Sequence, residues 1–195
     1  MECNLKKIVT LSVWLTAILF MIQLMVFYDN IGEMLIVGST YKLISFCLSC
    51  IGKSICVSSF LMILFNKYAW KWKFIKLLHD TPVLKSKYIG TFNSTYDNKE
   101  RHGTMYVNQT FLNVTVQLKT DESRSRSIVT FLEKYQGVYH LIYVYQNEPR
   151  AEIQEKSPMH YGTAILDVSN SEVLIGNYFT LRKTIGSMSF QASDT

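Results

Sequence analysis

IVTLSVWLTAILFMIQLMVFY, residues 8–28, contains no charged side chain, and LISFCLSCIGKSICVSSFLMILF, residues 43–65, contains only Lys53. Each run matches the roughly 20 helical residues that cross a hydrocarbon core. Together they predict a membrane hairpin. A cleaved signal peptide is the competing reading of the first run. Against it, the run exceeds the usual ~7–15-residue apolar region, no small-x-small site follows, and a second span comes soon after.

Lysines set the expected orientation. Lys6 and Lys7 precede the first span, and Lys67, Lys71, Lys73 and Lys76 follow the second, whereas the loop between has Asp29 and Glu33 against Lys42. Both ends are therefore expected on the cytoplasmic side. Tyr68, Trp70 and Trp72 among those lysines suit the headgroup interface. Residues 66–82 read as a basic, aromatic linker with helical character, ended by His79-Asp80-Thr81-Pro82, because proline opposes continuation of a helix.

The second span carries small residues at alternating spacings of four and three: Ser45, Ser49, Gly52, Cys56 and Ser59. Such a stripe lets another helix backbone approach closely, from this chain or from a neighbour. Lys53 borders it near mid-membrane, where a charge is costly. Two readings are open: its ammonium snorkels or bonds Thr16 or Gln23 of the first span, or it lines a wet defect between associated hairpins.

Charge is unevenly divided. Residues 1–82 hold eight Lys/Arg against four Asp/Glu, and residues 83–195 hold twelve against eleven. The nearly neutral second part lacks the broad basic footprint of a protein that grips polymeric DNA or RNA. All four cysteines (Cys3, Cys47, Cys50, Cys56) lie in the first 56 residues, so residues 83–195 have no disulfide framework. Cys47-x-x-Cys50 has a redox spacing but sits inside a span.

After Pro82 the periodicity changes to two. Eight segments are rich in β-branched and aromatic residues: 88–96, 103–109, 112–120, 125–134, 138–146, 160–168, 173–181 and 187–192. Turn residues separate them, among them Asp97-Asn98-Lys99, Gln136-Gly137 and Ser169-Asn170-Ser171. Short strands with tight connections predict an all-β domain over residues 83–195, a small eight-stranded up-and-down antiparallel barrel. Such a barrel holds packed side chains or one small ligand.

Alternation sorts the side chains. Leu112, Val114, Val116 and Leu118 share a face opposite Asn113, Thr115, Gln117 and Lys119. Val173, Ile175, Asn177, Phe179 and Leu181 oppose Leu174, Gly176, Tyr178, Thr180 and Arg182, and either of these faces fits the interior. If the second is interior, a phenol, a hydroxyl and a guanidinium meet there, as a phosphorylated ligand needs. No metal-spaced histidine pair, nucleophile elbow or phosphate-binding glycine loop is present. The expectation is a binding protein with no catalytic residues, metal or cofactor.

Gly176–Gly186 (GNYFTLRKTIG), His160-Tyr161-Gly162-Thr163-Ala164, and Gln109-Thr110 followed by Ser123, Ser125 and Ser127 carry a family likeness. With the order hairpin, linker, barrel, the chain resembles the two-transmembrane, β-strand-rich effectors of bacterial CBASS antiphage systems. That resemblance implies a cyclic oligonucleotide made by a cGAS/DncV-like nucleotidyltransferase on infection and sensed by the barrel. It further implies homo-oligomerising spans that disrupt the inner membrane and abort the infection.

Under it, Arg182 pairs with a phosphodiester, Tyr178 stacks on a base, and Thr180 bonds between them. Ser123, Ser125 and Ser127 offer donors from one strand face, and Gln109 and Tyr161 complete the candidate set. A different class, a membrane-tethered lipocalin-like carrier of an apolar molecule, predicts an apolar lumen with no use for Arg182. A scaffold whose barrel exterior docks a partner is the third.

Overall fold

Long apolar runs satisfy their backbone internally as helices, and β-branched alternating runs satisfy theirs between strands; the computed structural model follows both rules. It describes residues 2–36, 38, 40–95, 97 and 99–193, in two units, Glu2–Trp72 and Lys73 onward.

The first unit contains α1 (Glu2–Val26), the short α2 (Tyr28–Ile36) and α3 (Thr40–Lys67). Leu5–Val26 and Thr40–Lys67 are long and apolar enough to cross a membrane. Helices α1 and α3 pack antiparallel along Cys50, Ser54 and Ser58, which are buried. Thr16 Oγ1 and Ser58 Oγ lie 2.7 Å apart, Gln23 Nε2 donates to Ser54 Oγ at 3.0 Å, and Phe27 meets Phe46 edge-on.

Lys53 is exposed and has neither of the two partners considered for it, since Thr16 and Gln23 bond Ser58 and Ser54. Ser45, Ser49, Gly52, Cys56 and Ser59 are also exposed and face away from the seam. The reason is polar: Thr16 and Gln23 on α1 need hydrogen-bond partners in an apolar medium, and two serines one turn apart on α3 supply them. After Lys67 the expected helical extension breaks into 3-10 turns at Ala69–Lys71 and Ile75–Leu78. Trp70, Trp72 and Phe74 repeat every second residue, a period that gives no single helical face.

The second unit is a closed barrel, each strand antiparallel to the next and the eighth paired to the first. Its strands are β1 (Lys87–Ser94), β2 (Glu100–Gln109), β3 (Val114–Lys119), β4 (Ser123–Tyr135), β5 (Val138–Pro149), β6 (His160–Asn170), β7 (Val173–Thr180) and β8 (Ile185–Ala192). Tyr96 and Asn98, at the expected end and turn of the first strand, lie outside the described residues. Strand β3 begins at Val114 rather than Leu112 because the Thr110 hydroxyl takes the Asn113 N–H and closes a turn. Gln136 and Gly137, both with positive φ, form the two-residue β4–β5 hairpin turn.

Tyr88, Met105, Leu141, Leu166, Leu174 and Phe190 fill one half of the lumen and are fully buried. Residues 79–86 lie against that closed end. Gln109 Nε2 donates to Pro82 O and its Oε1 accepts from Leu84 N–H, both at 2.8 Å. Asp80 accepts from Lys134 Nζ and from the Tyr139 hydroxyl, each at 2.8 Å. The Lys134 bond, followed by the Tyr139 bond, holds the Asp80 carboxyl down at about 2, against an ordinary 3.8.

A carboxyl lowered on folding stabilises the fold above its unfolded pKa and loses that contribution as pH falls through its folded value. Asp80→Asn removes this contribution, so the melting temperature of the wild type is expected to fall more steeply than that of the variant between about pH 4 and pH 2. Parallel slopes in the full chain would show that the clasp contributes nothing.

Gly186 is imposed by packing. A Cβ on Gly186 would drive into the Asn93 carbonyl and the Tyr178 ring. Gly186→Ala is expected to cost about 1–3 kcal/mol, as overpacking does, read from the denaturation midpoint of the detergent-solubilised chain.

Candidate functional site

The other half of the lumen is open. The β1–β2, β3–β4, β5–β6 and β7–β8 connections all lie at that end, around a cavity of about 680 Å³. This is within the ~300–1,000 Å³ range of small-molecule sites. Strand alternation lines it. The interior residues of β7 are Leu174 and Tyr178, so the face carrying Thr180 and Arg182 is the inner one.

The deep wall is aromatic. Tyr178 packs edge-on to Phe92 with ring centres 6.2 Å apart, and Tyr143 and Tyr145 lie 5.9 Å apart. Burial pushes the Tyr143 and Tyr145 phenols well above their ordinary values, so both stay protonated. A Cβ on Gly162 would collide with the Tyr145 ring; the glycine of the His160–Ala164 stretch thus makes room for it.

The rim is polar and charged. Thr180 and Thr184 are joined through their hydroxyls at 2.6 Å, and Thr180 N–H donates to Thr184 O at 3.0 Å, which fixes the turn bearing Arg182. The Arg182 guanidinium donates to Ser157 Oγ at 2.7 Å. Across the mouth, Arg101 is neutralised by Asp97, at 2.7 and 2.9 Å, and by Glu122, at 3.2 Å. The bond from Arg101 holds the Asp97 carboxyl down at about 2. Half-buried His160 also lines the cavity, and its imidazole lies below its ordinary value, through burial first and the Arg182 charge in smaller part.

Of the sequence candidates, Arg182, Tyr178, Thr180, Ser123 and Ser125 line this one cavity. Three others do not. Ser127 sits where the β4 register shifts, and its hydroxyl accepts the Val116 N–H at 2.9 Å. The bulge thus claims the side chain for the barrel wall. Gln109 is spent at the closed end, and Tyr161 is on the outer face of β6, 41% exposed.

The sequence reading missed Tyr143, Tyr145, Asn147, His160 and Phe92. Tyr143 and Tyr145 alternate correctly in β5, but nothing local marked that face as inner. Asn147 lay one residue beyond the expected strand end. It is 8% exposed and accepts from Ser125 Oγ at 2.8 Å, the two facing each other in the β4–β5 register.

Residues 79–192 match a family model described as the Cap15 cyclic dinucleotide receptor domain. Over 189 residues the chain is 27% identical to CD-NTase-associated protein 15 of Staphylococcus schleiferi, an alignment spanning 96% of this chain and 97% of that protein.

Proposed function

The chain belongs to the Cap15 cyclic dinucleotide receptor family, and from that membership we propose that it is the membrane-anchored effector of a CBASS antiphage system, activated when its cavity takes up a cyclic nucleotide. The observation that carries this reading is the cavity itself: aromatic rings deep in the lumen and Arg182 beside Thr180 at the mouth. Rings stack on nucleobases, and a guanidinium pairs with a phosphodiester. The named relative's association with a CD-NTase fits a signal made by such a nucleotidyltransferase. The protein acts by binding, without catalysing a reaction on its ligand.

In this reading both helix ends lie on the cytoplasmic side of the inner membrane, and occupied barrels favour an assembly of hairpins that breaches the bilayer. A ligand shifts such an equilibrium only by its differential affinity for the two states; moving it from 1:99 to 99:1 takes about 10⁴-fold. The small-residue face of α3 left exposed by the hairpin is the surface through which copies meet.

A tethered carrier of apolar molecules calls for an apolar lumen, whereas Ser123, Ser125, Asn147, Thr180 and Arg182 line this one. Thermal stability of the detergent-solubilised full chain, against cyclic dinucleotides and against fatty acids, separates the two. A ligand at a hundredfold excess over its Kd stabilises the native state by about 2.7 kcal/mol. The expected result is a shift with a cyclic dinucleotide and none with fatty acids; the reverse pattern would replace the effector reading with the carrier.

A further inference from the structure

Asn147 is 92% buried in the cavity wall, being 8% exposed, and its amide is oriented by one contact. The Ser125 hydroxyl donates to Oδ1 at 2.8 Å, which turns that oxygen toward β4. The amide nitrogen makes no hydrogen bond to any described residue, yet it is not among the buried polar atoms left without a partner, so it remains reachable from the lumen. Four residues deeper on the same face of β5, the Tyr143 hydroxyl is buried with no partner among the described residues. With the Tyr145 hydroxyl between them, three groups able to donate thus stand on one strand face with no acceptor among the described residues. A buried polar group left in that state costs free energy, which an occupant with suitable acceptors returns.

We infer that Ser125 and Asn147 are the base-selecting pair of the cavity, choosing a nucleobase edge that presents a carbonyl oxygen. This rests on the reading of the cavity as a cyclic dinucleotide site. Ser125 positions; Asn147 contacts the base. An amide whose oxygen is turned toward a wall serine presents its N–H to the lumen. Uracil presents carbonyl oxygens, and guanine presents O6 beside N7, an edge of acceptors alone. Adenine sets its N6 amino group, a donor, beside N7, and cytosine presents an amino group at position 4. An unconstrained asparagine reads adenine through both of its amide atoms; here the serine removes half of that pattern.

The test compares affinities of the full chain in detergent for cyclic di-UMP, cyclic di-GMP and cyclic di-AMP by calorimetry. The wild type is expected to bind at least one of the carbonyl-bearing ligands ten- to a hundredfold more tightly than cyclic di-AMP, the size of effect that follows from one buried donor gaining or losing its acceptor. Asn147→Asp replaces the donors with an acceptor and is expected to lower that ratio at least tenfold, whatever happens to affinity as a whole. Ser125→Ala releases the amide and is expected to narrow the ratio while binding persists; it serves alone if the aspartate variant does not fold. An unchanged ratio in the variants, or a wild type that prefers cyclic di-AMP, would overturn the base-selecting role and leave the cavity's function intact. Failure of all three ligands to bind the wild type would overturn both.

Discussion

Arg182→Ala is expected to weaken cyclic dinucleotide binding about 100-fold or more and to abolish ligand-dependent toxicity, with the protein still in the membrane. A charge-assisted bond contributes about 1.5–3 kcal/mol, and a bidentate pair more than one such bond. Arg182 is half-buried at the cavity mouth and held in place by the Thr180–Thr184 turn. The other arginine at the mouth, Arg101, is already engaged by two carboxylates and is poorly placed to compensate.

With ligand at one hundred times the wild-type Kd, the stabilisation of about 2.7 kcal/mol drops to about 0.4 kcal/mol in a variant bound 100-fold more weakly. Arg182→Lys keeps the charge without the planar fork and should fall between the two. A thermal shift in Arg182→Ala equal to that of the wild type would remove Arg182 from the site.

Gly52→Leu is expected to silence the effector at the opposite step, with ligand binding unchanged and toxicity lost. A Cβ at Gly52 meets no atom within 4 Å, so the α1–α3 hairpin tolerates the larger side chain. Between copies the same leucine would hold helix backbones apart on the face of Ser45, Ser49, Cys56 and Ser59. Ser58→Leu is the contrasting variant, because Ser58 is fully enclosed in the seam and bonded to Thr16; it should disrupt the hairpin itself. The measurement is cross-linking of membranes with and without ligand, beside cell survival. Retained ligand-induced cross-links and killing in Gly52→Leu would place the assembly surface elsewhere.

Much of this architecture is legible in one chain because its signals are local. An uncharged run of twenty-one residues has few alternatives to a membrane helix, and alternation alone places Tyr178, Thr180 and Arg182 on a common face. The eight strands were equally readable, since β-branched runs end at turn residues wherever they fold. Their limits were less so: the Thr110 hydroxyl delays β3, and Asn147 extends β5 past the apparent end of its pattern.

Inside and outside belong to closure. Parity places side chains on two faces of a strand, but pairing between β1 and β8, some hundred residues apart, makes one of those faces the lumen. The same long-range register puts Asn147 opposite Ser125, hands Ser127 to Val116 at the bulge, and draws Gln109 to residues 82–84 at the closed end. In the hairpin, the choice of seam went to the serines that could satisfy Thr16 and Gln23, a matter of which polar groups on two separate helices meet in an apolar medium. Periodicity along a chain carries local conformation and facing. Which face is buried, and which polar group finds which partner, depends on contacts between segments far apart in sequence, and those exist only once the barrel and the hairpin have closed.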